Sequence, residues 1–140
     1  MDLINQIKEE AKKFFLTARG SHDWSHTERV YNLALHIGKK EGADMEILSI
    51  AAILHDIGRD CETRSKGLVC HAEKGASMAE ELLKKYNIPS EKIEAIVHCI
   101  STHRFRSNKT PDSREGMILF DADKLDSTGA VGIGRAFLFA

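Results

Sequence analysis

Apolar residues recur along this chain at helical spacing, and no segment alternates with period two for long enough to predict a strand. Residues 2–18 set Leu3, Ile7, Ala11, Phe14 and Ala18 on one face. The stretch from Trp24 to Lys40 does the same with Val30, Leu33, Ala34 and Ile37. Ser25-His26-Thr27-Glu28 has the form of a capping box, with Asp23 an equal candidate for the cap. After the break at Gly42-Ala43-Asp44, residues Met45 to Ile57 are apolar on nearly every face, which predicts a helix buried all round. Arg59 to Val69 reads as a polar loop. A fourth helix is expected from His71 to Tyr86, with Ala72, Ala76, Ala79, Leu83 and Tyr86 inward. Pro89-Ser90 opens a fifth, with Ile93, Ile96, Val97 and Ile100 inward. Arg104 to Lys109 is a basic loop, and Thr110-Pro111 resembles an N-cap with proline at the first helical position. The helix it starts carries Met117, Leu119 and Phe120. The pattern predicts one all-α domain of six to seven helices over residues 1–140.

Composition narrows the functional classes. The chain is long enough to bury roughly two-thirds of its unfolded surface, so folding alone requires no disulfide or metal. Twenty Lys and Arg against 21 Asp and Glu give a net charge of −1. That excludes a polycation built to coat nucleic acid, and any affinity for phosphate must come from a local cluster. The longest apolar runs, such as Ile50 to Leu54, are five residues, far short of the roughly 18–20 of a membrane span. The N-terminus is charged from its second residue, unlike a signal peptide. Three cysteines without a CxxC pair suit a reducing compartment, and a cytoplasmic location is expected.

Seven histidines stand out beside one Trp and two Tyr. His55-Asp56 ends the most apolar segment, where an uncompensated carboxylate would cost several kcal/mol. Asp56 is therefore either paired or cation-bound; the alternative is a solvated helix end bridged to Arg59. His26 precedes Val30 by four and Leu33 by seven, inside the stripe of its own helix. Asp123 follows Leu119 and Phe120 by four and three, so it too points with the core face. His26, His55, Asp56 and Asp123 form a mixed nitrogen and oxygen set suited to a divalent cation. Mn, Mg, Co, Ni, Fe and Zn are not distinguished by it.

These residues stand within longer segments that resemble the HD-domain superfamily of metal-dependent phosphohydrolases. The segments are His22-Asp-Trp-Ser-His26-Thr-Glu-Arg-Val30, Ala51-Ala-Ile-Leu-His-Asp-Ile-Gly58, His71-Ala-Glu-Lys-Gly-Ala76, His103-Arg104 and the run from Asp121 to Arg135. They occur in the family's order over about residues 20–136 and look like its small branch of uncharacterised hydrolases. The resemblance implies His26, His55, Asp56 and Asp123 as metal ligands, with His22 orienting or capping rather than coordinating. His71 and His103 have two candidate roles, as phosphate contacts or as holders of a second metal. His98 is expected to face solvent or a neighbouring helix, and His36 to be an ordinary half-buried residue.

The chemistry implied is hydrolysis of a phosphate ester or nucleotide by metal-activated water. Lys124, Arg59, Arg104, Arg106 and Lys109 would supply the local positive cluster. Asp56 and Lys124 are the expected catalytic groups, Arg59, His71, His103 and Arg104 the phosphate-binding ones, and Asp60 a candidate base. Two further readings keep the fold: a di-iron oxygenase using His71 and His103, and a non-catalytic regulatory module with a structural metal. The run His55-Asp-Ile-Gly-Arg59-Asp60 departs from the HDxxED of alarmone hydrolases, and no GYP follows as in cyclic-dinucleotide phosphodiesterases. Family members commonly continue with more helix. The apolar end, Arg135 to Ala140, is expected either to lack a pocket-forming helix or to pack against another subunit.

Overall fold

The computed structural model describes residues 1–16, 23–104, 109–128, 134 and 138. Among them every regular element is helical: α1 Leu3–Lys12, continued by a 3₁₀ turn over Lys13–Phe15, α2 Trp24–Glu41, α3 Met45–Leu54, α4 Arg59–Arg64, α5 His71–Leu83, α6 Ser90–Ser101 and α7 Arg114–Leu125. No helix among the described residues is long and apolar enough to cross a membrane.

α3 is the central element, with Leu48 through Leu54 all buried. It packs on α1, α2, α6 and α7, which is why its sequence shows no polar face. α1 presents Ile7, Ala11 and Phe15 to the core. Phe15, rather than the expected Phe14, turns inward, because it meets the edge of Trp24 at a centroid distance of 5.7 Å. α2 buries His26, Val30, Ala34 and Gly38 at intervals of four. His36 lies opposite that stripe and is exposed rather than half-buried. Asp23 caps α2 by accepting from the backbone N–H of His26 at 3.2 Å. Gly42, at φ 69°, ends the helix in the left-handed region that glycine adopts without strain.

Three boundaries differ from the sequence expectation. The polar segment after Gly58 contains the short helix α4, whose Asp60 and Glu62 in the first turn and Arg64 in the last complement the helix dipole. It is polar nearly all round, so hydrophobic periodicity gives no signal for it. α5 stops at Leu83, where tighter bonds such as that from the Tyr86 N–H to the Leu83 carbonyl replace the α pattern. α7 is capped by Ser113, which accepts from the Gly116 N–H at 3.0 Å, and not by Thr110.

One close approach fixes the site. Gly58 ends the turn after α3 and lies against the start of α5; a Cβ there would fall 2.3 Å from the His71 carbonyl oxygen and 2.6 Å from the Gly75 nitrogen. Only glycine lets this turn sit so near α5. The His55-Asp56 pair is thereby held beside His71.

Candidate metal centre

The ends of five helices converge on one buried cluster. His26 comes from the first turn of α2, and His55 and Asp56 from the turn after α3. His71 opens α5, His103 follows α6, and Asp123 lies near the end of α7. His26, His55, Asp56, His71 and His103 are each buried.

Their donor atoms form two groups, His26, His55 and Asp123 in one and Asp56, His71 and His103 in the other, each spanning at most 4.8 Å. In the first, His26 Nε2 lies 3.1 Å from Asp123 Oδ1 and 3.4 Å from His55 Nε2. In the second, the Nε2 atoms of His71 and His103 are 3.1 Å apart. Asp56 stands between them. Its Oδ2 is 3.5 Å from His26 and 3.7 Å from His55, and its Oδ1 is 3.6 Å from His71 and 3.7 Å from His103.

All four imidazoles commit Nδ1 elsewhere and turn Nε2 inward. His55 Nδ1 donates to the Ala52 carbonyl at 2.7 Å, and His103 Nδ1 to the Ile100 carbonyl at 2.6 Å. His26 Nδ1 donates to Asp126 at 2.7 Å, and His71 Nδ1 to Glu62 at 2.7 Å. Metal-binding histidines commonly donate one ring N–H to a carbonyl or carboxylate in this way, which fixes the tautomer that leaves the Nε2 lone pair available. The donor set suits a divalent cation.

Electrostatics agree. Burial alone would lower the pKa of His55, but the Asp56 and Asp123 carboxylates outweigh it and raise it to about 9. Burial opposes ionisation of Asp123, yet hydrogen bonds from His26 and His55 hold its pKa well below the ordinary range. His71 is pushed down to about 2, chiefly by burial, with Arg59, His103 and Arg104 adding repulsion. The carboxylates of the first group thus hold positive charge on His55, while His71 in the second faces two guanidiniums.

The expected cations are partly in place. Lys124 donates to the His103 carbonyl, and its Nζ lies 3.5 Å from Asp123. Burial lowers its pKa. Arg59 Nη2 lies 3.1 Å from His71 Nε2, and Arg104 Nη1 donates to Glu62 at 2.6 Å. Lys109 reaches Glu73 at 3.7 Å instead. Asp60 does not take the position expected of a base: its carboxylate is 3.0 Å from the exposed Arg64, and Glu62 is the α4 carboxylate that enters the site. His98 is half-exposed and pairs with Asp112 at 2.7 Å. His22, Arg106 and the run Arg135–Phe137 lie outside the described residues.

Three site residues escaped the sequence reading. Glu62 sits on the unforeseen α4. Asp126 and Arg29 were visible by spacing, each three residues after a predicted ligand, which puts them on the same helix face. Arg29 Nε donates to Asp126 at 2.8 Å and steadies the carboxylate behind His26.

Residues 23–128 match the HD domain family. The chain belongs to that family. An HD superfamily hydrolase from an uncultured Thermotogales bacterium is 37% identical and superimposes with a TM-score of 0.85 over 96% of this chain and 74% of that one. YpgQ of Bacillus subtilis is 35% identical over 139 residues. A crystal structure of YpgQ in complex with ADP superimposes with a TM-score of 0.75 over 98% of this chain and 67% of that one. Ribonuclease Y of Chloroflexus aurantiacus is 30% identical over 119 residues. The chain spans 65% of the length of YpgQ and 21% of that ribonuclease.

Proposed function

We propose that this HD domain is a metal-dependent phosphohydrolase that cleaves a phosphate ester or anhydride of a nucleotide with water. The observation that carries the reading is the set of four buried imidazoles, all presenting Nε2 around the Asp56 carboxylate. His26, His55, Asp56 and Asp123 would hold the ion. A divalent cation there supplies acidification of a water molecule and polarisation of a phosphoryl oxygen.

The protein's own residues supply the rest. Asp56, held at the centre of the site, presents one oxygen to His26 and His55 and the other to His71 and His103. Lys124 beside Asp123, and Arg59 and Arg104 beside Glu62, are suited to meeting the negative charge that develops on a transferring phosphoryl group. His71 and His103 extend this surface as phosphate contacts. A nucleotide is the favoured substrate class because YpgQ, which covers nearly the whole of this chain, binds ADP. The ribonuclease relative shares only its HD portion and keeps an RNA phosphodiester as the variant of the same chemistry.

The test is turnover of nucleoside di- and triphosphates, short RNA and generic phosphate esters with Mn²⁺, Mg²⁺, Co²⁺ or Ni²⁺. Phosphate or pyrophosphate release that disappears in Asp56→Ala is the expected result; no turnover with any of these would defeat the reading. The shared Asp56 also favours a second reading, a di-iron oxygenase, which requires iron in both donor groups. Iron at two per chain with dioxygen consumption would support it instead.

A further inference from the structure

We propose that the Arg59 guanidinium is the built-in cation of the second donor group, so that the chain binds one metal ion, among His26, His55, Asp123 and the Asp56 oxygen that faces them, and uses Arg59 where a second ion would otherwise sit. The inference rests on the proposed metal-dependent reading of the site and specifies how the site is charged.

Three observations converge on Arg59. Its Nη2 is 3.1 Å from His71 Nε2. The His71 Nδ1 proton is committed to Glu62, so Nε2 offers a lone pair, and the guanidinium N–H donates to it. The same Nη2 lies 3.6 Å from Asp56 Oδ1, the oxygen that faces His71 and His103. Arg59 therefore contacts two of the three donors that a second ion would need.

The arginine is also anchored. It lies three residues after Asp56, at the start of α4, and its Nη1 is 3.4 Å from Glu62 on the same helix. Arg104 binds the other oxygen of that carboxylate at 2.6 Å. Charge separates the two groups in the same sense. The first has a carboxylate of its own, Asp123, with only Lys124 beside it, whereas the second has a share of Asp56 and sits beside two guanidiniums that Glu62 holds in place. A divalent ion entering the second group would have to displace Arg59 and meet Arg104 nearby. In the sequence this is the cation at the third position after Asp56. An arginine side chain keeps its charge across any working pH, so the substitution is permanent.

The test is a metal count. Wild-type protein, Arg59→Met and Arg59→Gln are loaded with excess Mn²⁺, freed of unbound ion and measured by elemental mass spectrometry, with thermal melting to show that each is folded. The expected counts are one Mn²⁺ per chain in wild type and two in the Arg59 variants, falling back to one in Arg59→Met/His71→Ala. Two ions in the wild type would overturn the proposal and leave the phosphohydrolase reading standing. So would a folded Arg59 variant that stays at one. No ion in any of the proteins would remove both together. A wild-type count of two overturns the proposal even if the variants do not fold.

Discussion

Asp126 accepts the Nδ1 proton of His26 at 2.7 Å, one hundred residues away in sequence, and Arg29 clamps the same carboxylate at 2.8 Å. The ring orientation of a candidate ligand is thus set by a pair that engages its other nitrogen, Nδ1. Asp126→Asn should weaken Mn²⁺ binding about 10–100-fold while the fold persists. Titration against a competing chelator measures this, and unchanged affinity would show that packing alone orients His26.

Gly58 predicts a local limit on substitution. In Gly58→Ala the new methyl would meet backbone atoms of His71 and Gly75, which have no side-chain freedom to yield. A loss on the order of 1–3 kcal/mol is expected, visible as a lowered melting temperature. Gly75→Ala, whose Cβ would lie 3.3 Å from the Gly58 nitrogen, should cost less. Equal melting temperatures for the two variants would contradict the close approach.

Protonation of His55 couples stability to pH. Its folded pKa, about 9, lies above the ordinary 6.5, so the folded metal-free protein holds the proton more tightly than the unfolded chain. That contribution is fully present below pH 6.5 and is lost as pH rises toward about 9. In chelator-treated protein, the melting-temperature advantage of wild type over His55→Gln should shrink across this window. Mn²⁺ binding should strengthen over the same window, because the ion competes with the proton on His55.

Asp23 holds the start of α2 by accepting the His26 N–H. Asp23→Ala should cost about 0.5–2 kcal/mol, and Asp23→Ser should recover most of it. Chemical denaturation of the three proteins decides the point.

The sequence exposed whatever lay on an apolar stripe. His26 and Asp123 stood out because a polar side chain occupied a core-facing position, and His55-Asp56 because the segment before it has no polar face. α4 was hidden for the opposite reason: a six-residue helix with charges on nearly every side has no period to detect. Glu62 was hidden with it. The choice of Phe15 over Phe14 depended on Trp24, a contact between elements that spacing within one helix cannot register. Likewise, Thr110-Pro111 and Ser113 are both competent helix starts, and the side-chain bond to Gly116 selects the second.

The paired bonds from His55 to Ala52 and from His103 to Ile100 give two helix ends a double duty. Each imidazole reaches back to a carbonyl in the last turn of its own helix, where the regular ladder runs out of partners. The same ring that terminates α3 or α6 therefore supplies a donor to the site. Folding itself removes the rotational freedom of these rings, so an arriving ion meets donors already stilled. Replacing either histidine would unsettle a helix terminus; for His55 it would also remove a proposed ligand, a second loss that melts with and without metal would separate from the first.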